Sequence, residues 1–206
     1  MKKAFYFTTA GKLRRHQNTL LWHPKGGEPR HLPIETVGEL YWMAPLRLGS
    51  SVLRFLGERR IPAHTFSHYG HYRGTFLPKA YILSGTVHLQ QARHILSPKK
   101  RLFIARQIVL GAIGGMLRNL SYYANRGKPL YPLLEELREW ERQAQAAASL
   151  SEVMGIEGSA RRAYYQAFSL ILEGWTWKGR VKRPPIDPIN ALLSLLNSLT
   201  YAAVVG

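Results

Sequence analysis

The chain has 206 residues, 46% of them hydrophobic, enough for two modest domains with proper cores and too apolar for a disordered chain. It has no cysteine, which excludes a disulfide framework, a thiolate zinc site and a cysteine nucleophile, and fits a reducing, cytoplasmic setting. There are 29 Lys and Arg against 12 Asp and Glu, a formal charge of +17 and a pI near 10.4, the footprint of a protein that meets a polyanion such as DNA.

The charge lies in the body and not in a tail: residues 1–85 carry 13 basic and 4 acidic side chains, and residues 86–206 carry 16 and 8. An anionic membrane surface is the alternative partner, but it needs an amphipathic helix with a basic face. With no run of about 18 uninterrupted apolar residues, no membrane span or membrane partner is expected.

In chain order, residues 3–9, 18–23 and 38–44 are rich in β-branched and aromatic side chains and are bounded by turn residues such as Pro24, Gly26 and Gly27. They predict short antiparallel strands. Ser50 and Ser51 precede an apolar-periodic stretch that predicts one short helix. Residues 61–66 predict a further strand, Tyr69, Gly70 and His71 a turn, and residues 72–77 a strand that pairs back. The histidines His64, His68 and His71 stand at metal-like steps. They fall on strand and turn without a cysteine or neighbouring carboxylate, so they are read as ordinary strand and turn residues.

Residues 78–85 read as a linker, after which the hydrophobic period changes from 2 to 3.6. Ser97-Pro98 opens a long amphipathic helix through Leu102, Val109, Ile113, Met116 and Leu120. Residues 132–148 predict a charged surface helix. Ser149 and Ser151 can cap the next helix, whose apolar face is Val153, Ile156, Ala160, Ala163, Tyr164 and Ala167. Residues 174–185 form a basic loop with Trp175 and Trp177, and Asp187-Pro188 opens the last helix, through Ala202. That apolar helix stops at the chain end with no polar tail, so the chain is expected to be a fragment. The fold class is α+β: a β-rich domain with one short helix over 1–80, a linker at 81–85, and a mostly α-helical domain over 86–206.

Glu157 is the carboxylate most suited to metal. It lies one turn before Arg161 and is flanked by Gly155 and Gly158. Glycine inside a helix costs about 1 kcal/mol relative to alanine, so two beside one carboxylate suggest that something approaches the backbone. A carboxylate beside a polyanion is repelled unless a cation, Mg²⁺ or Mn²⁺, sits between them. From spacing alone, a packing contact with a surface pair between Glu157 and Arg161 is equally open. Glu152 and Glu173 lie off this face, and Asp187 reads as a helix cap. Arg161, Arg162, Lys178, Arg180, Lys182 and Arg183 are candidate phosphate contacts, with the tryptophans available to stack on unpaired bases. The rival reading places both tryptophans in a core.

The stretch from Met154 through Glu157 to Arg161 resembles the metal-glutamate helix of the CRISPR adaptation integrase family, the universal CRISPR-associated endonuclease. The stretch from Arg183 through Asp187 and Asn190 to Ser194 resembles its second signature, and adds Asn190 and Ser194 to the expected DNA contacts. Phe7 to Arg15 resembles the family's first hairpin, and Ile61–His64 with Gly74–Pro78 the end of its β domain. The resemblance covers essentially the whole chain. It implies a homodimer formed through the β domain and a metal site in the helical domain. It also implies insertion of short DNA segments into a repeat array by transesterification, with a small companion dimer of ferredoxin-like fold as bridge. The family's other metal ligands, a histidine and an aspartate, have no match here, and Leu195-Leu196-Asn197 departs from the family's Phe-Gly pattern. The alternative is a non-catalytic DNA-binding dimer scaffold of the same fold.

Overall fold

The computed structural model describes residues 2–79, 84–182 and 184–205. Contacts divide the chain into two units, Met1–Ile82 with Val181–Gly206, and Leu83–Arg180.

The first unit is strand-rich. Strands β1 (Lys3–Phe7), β5 (Val37–Trp42), β7 (Ala63–Phe66) and β8 (Tyr72–Phe76) form one sheet in the order β1-β5-β7-β8. Strands β4 (Arg30–Pro33), β3 (Thr19–Pro24), β2 (Gly11–His16) and β6 (Leu46–Leu48) form a second in that order. Alternation along each strand turns Phe7, Leu13, Leu20, Trp22, Leu40 and Ala63 inward. There they meet Val52, Phe55 and Leu56 of helix α1 (Ser50–Glu58) in one core.

The pairing differs from the all-antiparallel expectation. β1–β5, β5–β7 and β2–β6 are parallel. The reason is connectivity: α1 lies on the crossover from β5 to β7, and a parallel neighbour needs such a return path. The hairpin expected between residues 7 and 15 is formed instead by β2 and β3, in register from Gly11↔Pro24 to His16↔Thr19. Gly11 is required there, because a Cβ would stand 2.3 Å from the His23 carbonyl oxygen and 2.4 Å from the Trp22 ring.

The last helix, α7 (Pro188–Val205), groups with this unit and not with the helical one. Ala202, fully buried, sits with Tyr41 and Phe66 on the other face of the first sheet, beside Leu199, Met43 and Tyr72. By length and composition alone α7 could cross a membrane, with a mean hydropathy of 1.4. It is the one such helix among the described residues, although polar positions interrupt its apolar run.

The second unit is helical: α2 (Gly85–Leu96), α3 (Pro98–Ala124), α4 (Tyr131–Ala146), α5 (Leu150–Gln166) and the short α6 (Phe168–Ile171). Part of the expected linker, residues 80–83, lies outside the described residues, and Ser84 caps α2 by accepting from Thr86 N–H. Helices α3, α4 and α5 share a core of Ile113, Leu120, Leu134, Leu137, Val153, Ile156, Ala160 and Ala163. The predicted face of α5 is therefore the buried one. Ser149 caps it, accepting from the Glu152 N–H at 3.2 Å, while the Glu152 carboxylate accepts from the Ala148 N–H at 2.6 Å. This two-way arrangement resembles a capping box.

A basic cleft beside Glu157

Burying Val153, Ile156, Ala160 and Ala163 forces the rest of α5 outward. Glu157 stands at the border, its side chain 35% exposed, and its carboxylate accepts from the Arg161 guanidinium at 2.7 Å. An added Cβ at Gly155 or at Gly158 would meet nothing within 4 Å. No packing inside the described residues therefore asks for glycine at either position, and the backbone beside Glu157 stands open to an approaching group.

The second half of α5 and the following loop enclose a cleft of about 580 Å³, lined by Gly158, Arg161, Arg162, Tyr165, Trp177, Lys178 and Arg180 among others. Four of the six expected phosphate-contacting cations are thus brought together on one wall system. Lys182 is exposed in the loop that continues into the first unit, and Arg183 lies outside the described residues.

The two tryptophans divide between the two readings. Trp177 is half-buried. Its ring lies 5.0 Å from Phe168 and 6.0 Å from Tyr165, and its indole N–H donates to the Tyr165 carbonyl at 2.7 Å, which satisfies an acceptor at the end of α5. Trp175 is 53% exposed and is the ring available for stacking. Tyr165, which carried no signal beyond its place on α5, joins the cleft wall.

Asn190 is fully buried at the start of α7. Its side-chain carbonyl accepts from the Val181 N–H at 2.8 Å, its amide group donates to Asp187, and its own N–H donates to the Asp187 carboxylate at 2.8 Å. Asp187 is the cap expected for this helix. Ser194 is half-buried and donates to the Asn190 carbonyl at 2.9 Å. In this arrangement Asn190 and Ser194 brace the helix start.

The other carboxylates near these elements have partners of their own. Glu152 closes the cap of α5, and Glu173 pairs with Lys128, whose ammonium holds the carboxyl below its ordinary range. Among the described residues no three His, Asp or Glu side chains gather as a metal site. Glu157 fits as one oxygen ligand for a hard divalent ion, with Arg161 to be displaced from it, and the residues present do not complete a coordination sphere.

In the strand unit, His64 is fully buried on β7, its Nδ1 2.8 Å from the Thr75 hydroxyl and its Nε2 3.8 Å from the Glu39 carboxylate. Burial pushes its pKa down, against the smaller upward pull of Glu39. The Tyr41 hydroxyl donates to Glu39 at 2.7 Å, and burial followed by that bond raises the phenol well above its ordinary range.

The sequence profile described as CRISPR associated protein Cas1 matches residues 5–206. A CRISPR-associated endonuclease Cas1 of Thermodesulfovibrio yellowstonii is 38% identical over 208 residues, covering 100% of this chain and 63% of that protein. The structure of a CAS1 protein from Thermotoga maritima superposes with a TM-score of 0.83 at 32% identity, covering 98% of this chain and 63% of that one. A casposase bound to integration product shares the fold, at 17% identity and a TM-score of 0.78. The chain spans about 60% of the length of the curated relatives it matches.

Proposed function

The chain belongs to the Cas1 family of CRISPR associated proteins, and on that premise we propose that it is part of a DNA endonuclease and integrase that inserts short foreign DNA segments into a CRISPR array. The observation that carries this reading is the cleft. Four cations, Arg161, Arg162, Lys178 and Arg180, line it, and Arg161 is bonded to the lone carboxylate Glu157. Cations so placed bind phosphates without regard to sequence. A relative named as an endonuclease and a fold-mate bound to an integration product support the choice of reaction.

In the reaction, a DNA 3′-hydroxyl attacks a backbone phosphorus. A new P–O bond forms, the existing P–O bond to a 3′-oxygen breaks, and that oxygen leaves as a hydroxyl, so the bond count is conserved. The cleft cations hold the attacked and attacking backbones in place, and orientation of this kind is a large part of catalysis. A bound Mg²⁺ or Mn²⁺ supplies charge stabilisation at the phosphate. Glu157 would offer it one oxygen ligand, and the family's histidine and aspartate ligands have no match among the described residues. Also proposed are a homodimer through the strand unit, the small companion adaptation dimer as bridge, and a cytoplasmic site of action.

The rival reading is a non-catalytic DNA-binding dimer scaffold of the same fold. The discriminating experiment incubates the protein, at the full length of its relatives and with its companion, with a labelled duplex bearing free 3′-hydroxyls and a supercoiled array plasmid in Mg²⁺. Label joined covalently to nicked plasmid is expected. Tight DNA binding with no joined label in Mg²⁺ or Mn²⁺ would leave only the scaffold.

A further inference from the structure

The second sheet of the strand unit has one face in the core and one outside. Leu13, Leu20 and Trp22 are buried on the inner face, with Leu32, Leu46 and Leu48 packed against them. Alternation therefore puts Lys12, Arg14 and His16 of β2, His23 of β3, His31 of β4 and Arg47 of β6 on the outer face. Lys12, Arg14, His16, His31 and Arg47 are exposed, and the register sets Lys12 between Arg47 and His23 and aligns His31 with Leu21, which pairs with Arg14. The four strands contain no Asp or Glu. Arg15, on the other side of β2, is occupied differently: it lies over the Phe55 ring at 4.2 Å and faces Glu58 at 3.8 Å.

Like charges directly opposite one another destabilise a sheet, and Lys12 opposite Arg47 is such a pair. Among the described residues no carboxylate is paired with Lys12, Arg14 or Arg47. The arrangement disfavours the isolated fold and becomes favourable when an extended anion lies across it.

We propose that this outer face, of strands β4-β3-β2-β6, is a second nucleic-acid contact surface, separate from the Arg161 cleft, and that it takes the phosphate backbone of duplex DNA. The inference rests on the DNA-handling reading above. Duplex is chosen over single strand because the outward rings of these strands are histidines alone, with no Phe, Tyr or Trp among them, and His16 and His31 lie edge-to-face against each other at 5.5 Å. Single-strand sites depend on stacking platforms, whereas Lys12, Arg14 and Arg47, fixed on two adjacent paired strands about 5 Å apart, suit the regular phosphate backbone of a duplex. The contact carries no base readout.

The test measures affinity for a fluorescent duplex and for the matching single strand across a salt series. It compares the parent, Lys12→Ala/Arg14→Ala/Arg47→Ala, Arg14→Lys/Arg47→Lys, and a cleft variant, Arg161→Ala/Lys178→Ala/Arg180→Ala. Thermal melting checks that each is folded. Loss of three phosphate contacts flattens the log–log salt slope on duplex by about 2.7 and weakens duplex binding more than single-strand binding, while the lysine variant keeps the parent slope. An unchanged slope in the triple alanine variant, with binding lost in the cleft variant, overturns this surface and leaves the DNA reading intact. Equal losses on duplex and single strand overturn the choice of duplex. No salt-sensitive DNA binding by any of the proteins overturns both.

Discussion

Glu157 and Arg161 stand one turn apart on α5 with carboxylate and guanidinium 2.7 Å from each other, and Arg161 is also part of the cleft wall. One side chain thus serves both the single carboxylate beside the cleft among the described residues and the cationic cleft wall. On the proposed reading, a cation at Glu157 would release Arg161 toward a phosphate, and a phosphate at Arg161 would release Glu157 toward a cation. Both partners are substantially exposed, so the pair contributes only about 0.3–0.5 kcal/mol to folding. Glu157→Gln should shift Tm by less than about 2 °C. In chelator, with no cation to bridge, it should tighten DNA binding by removing a repelling charge. Weaker binding of Glu157→Gln in chelator would show that the carboxylate aids binding by another route.

Trp175 and Trp177 should behave in opposite ways. Trp177→Ala removes a half-buried ring and the donor to the Tyr165 carbonyl, and should cost about 2 kcal/mol or more by thermal or urea melting. Trp175→Ala should leave stability unchanged and weaken single-strand binding by about 5- to 100-fold, the worth of one stacked base. Loss of stability at Trp175, or none at Trp177, would reverse the assignment.

The glycines separate internal packing from external approach. Gly11→Ala drives a Cβ into a backbone carbonyl and the Trp22 ring, and should destabilise by about 1–3 kcal/mol. Gly155→Ala meets open space and should stabilise α5 by up to about 1 kcal/mol. If a ligand approaches the backbone there, the same change lowers DNA affinity or strand transfer while raising Tm. A Gly155→Ala protein that is more stable and fully active would remove the argument for close approach.

Much of this was legible before any coordinates. The buried face of α5 follows from Val153, Ile156, Ala160 and Ala163 because helix periodicity is local. Arg161, Arg162, Lys178 and Arg180 were legible one by one as cations of a helix and a loop, but their meeting in one cleft was not, because it depends on how the loop returns along α5. The parallel order of β1, β5 and β7 was not legible, because strand pairing is non-local and alternation carries no direction. Nor was the division between Trp175 and Trp177, two residues apart, which depends on which ring finds Phe168. The placement of α7 hangs on Ala202 meeting Tyr41 and Phe66, and no pattern within the helix announces that contact. The Lys12-Leu13-Arg14 alternation did hold a signal, that of a strand with one cationic face.

His64 makes the strand unit acid-sensitive. Its folded pKa lies below the ordinary 6.5 because burial disfavours the cation. As pH falls through about 6.5 the unfolded chain takes up this proton first, so the stability present above that pH declines until the folded pKa is reached. The groups facing the ring are Glu39, Tyr41 and Thr75. Melting temperature should fall between pH 7 and pH 5, and His64→Gln should flatten that part of the profile while lowering the plateau. An identical slope in His64→Gln would assign the acid sensitivity elsewhere.

The most direct measurement is disintegration of a branched DNA in Mn²⁺ by the protein at the full length of its relatives, with Glu157 compared against Glu157→Ala and duplex affinity measured on the same preparations. If, as proposed, a cation held by Glu157 acts on the transition state while Lys and Arg supply most of the binding, strand transfer should fall by about 100-fold or more with duplex affinity kept or increased. Equal strand transfer by the two proteins would contradict the role assigned to Glu157.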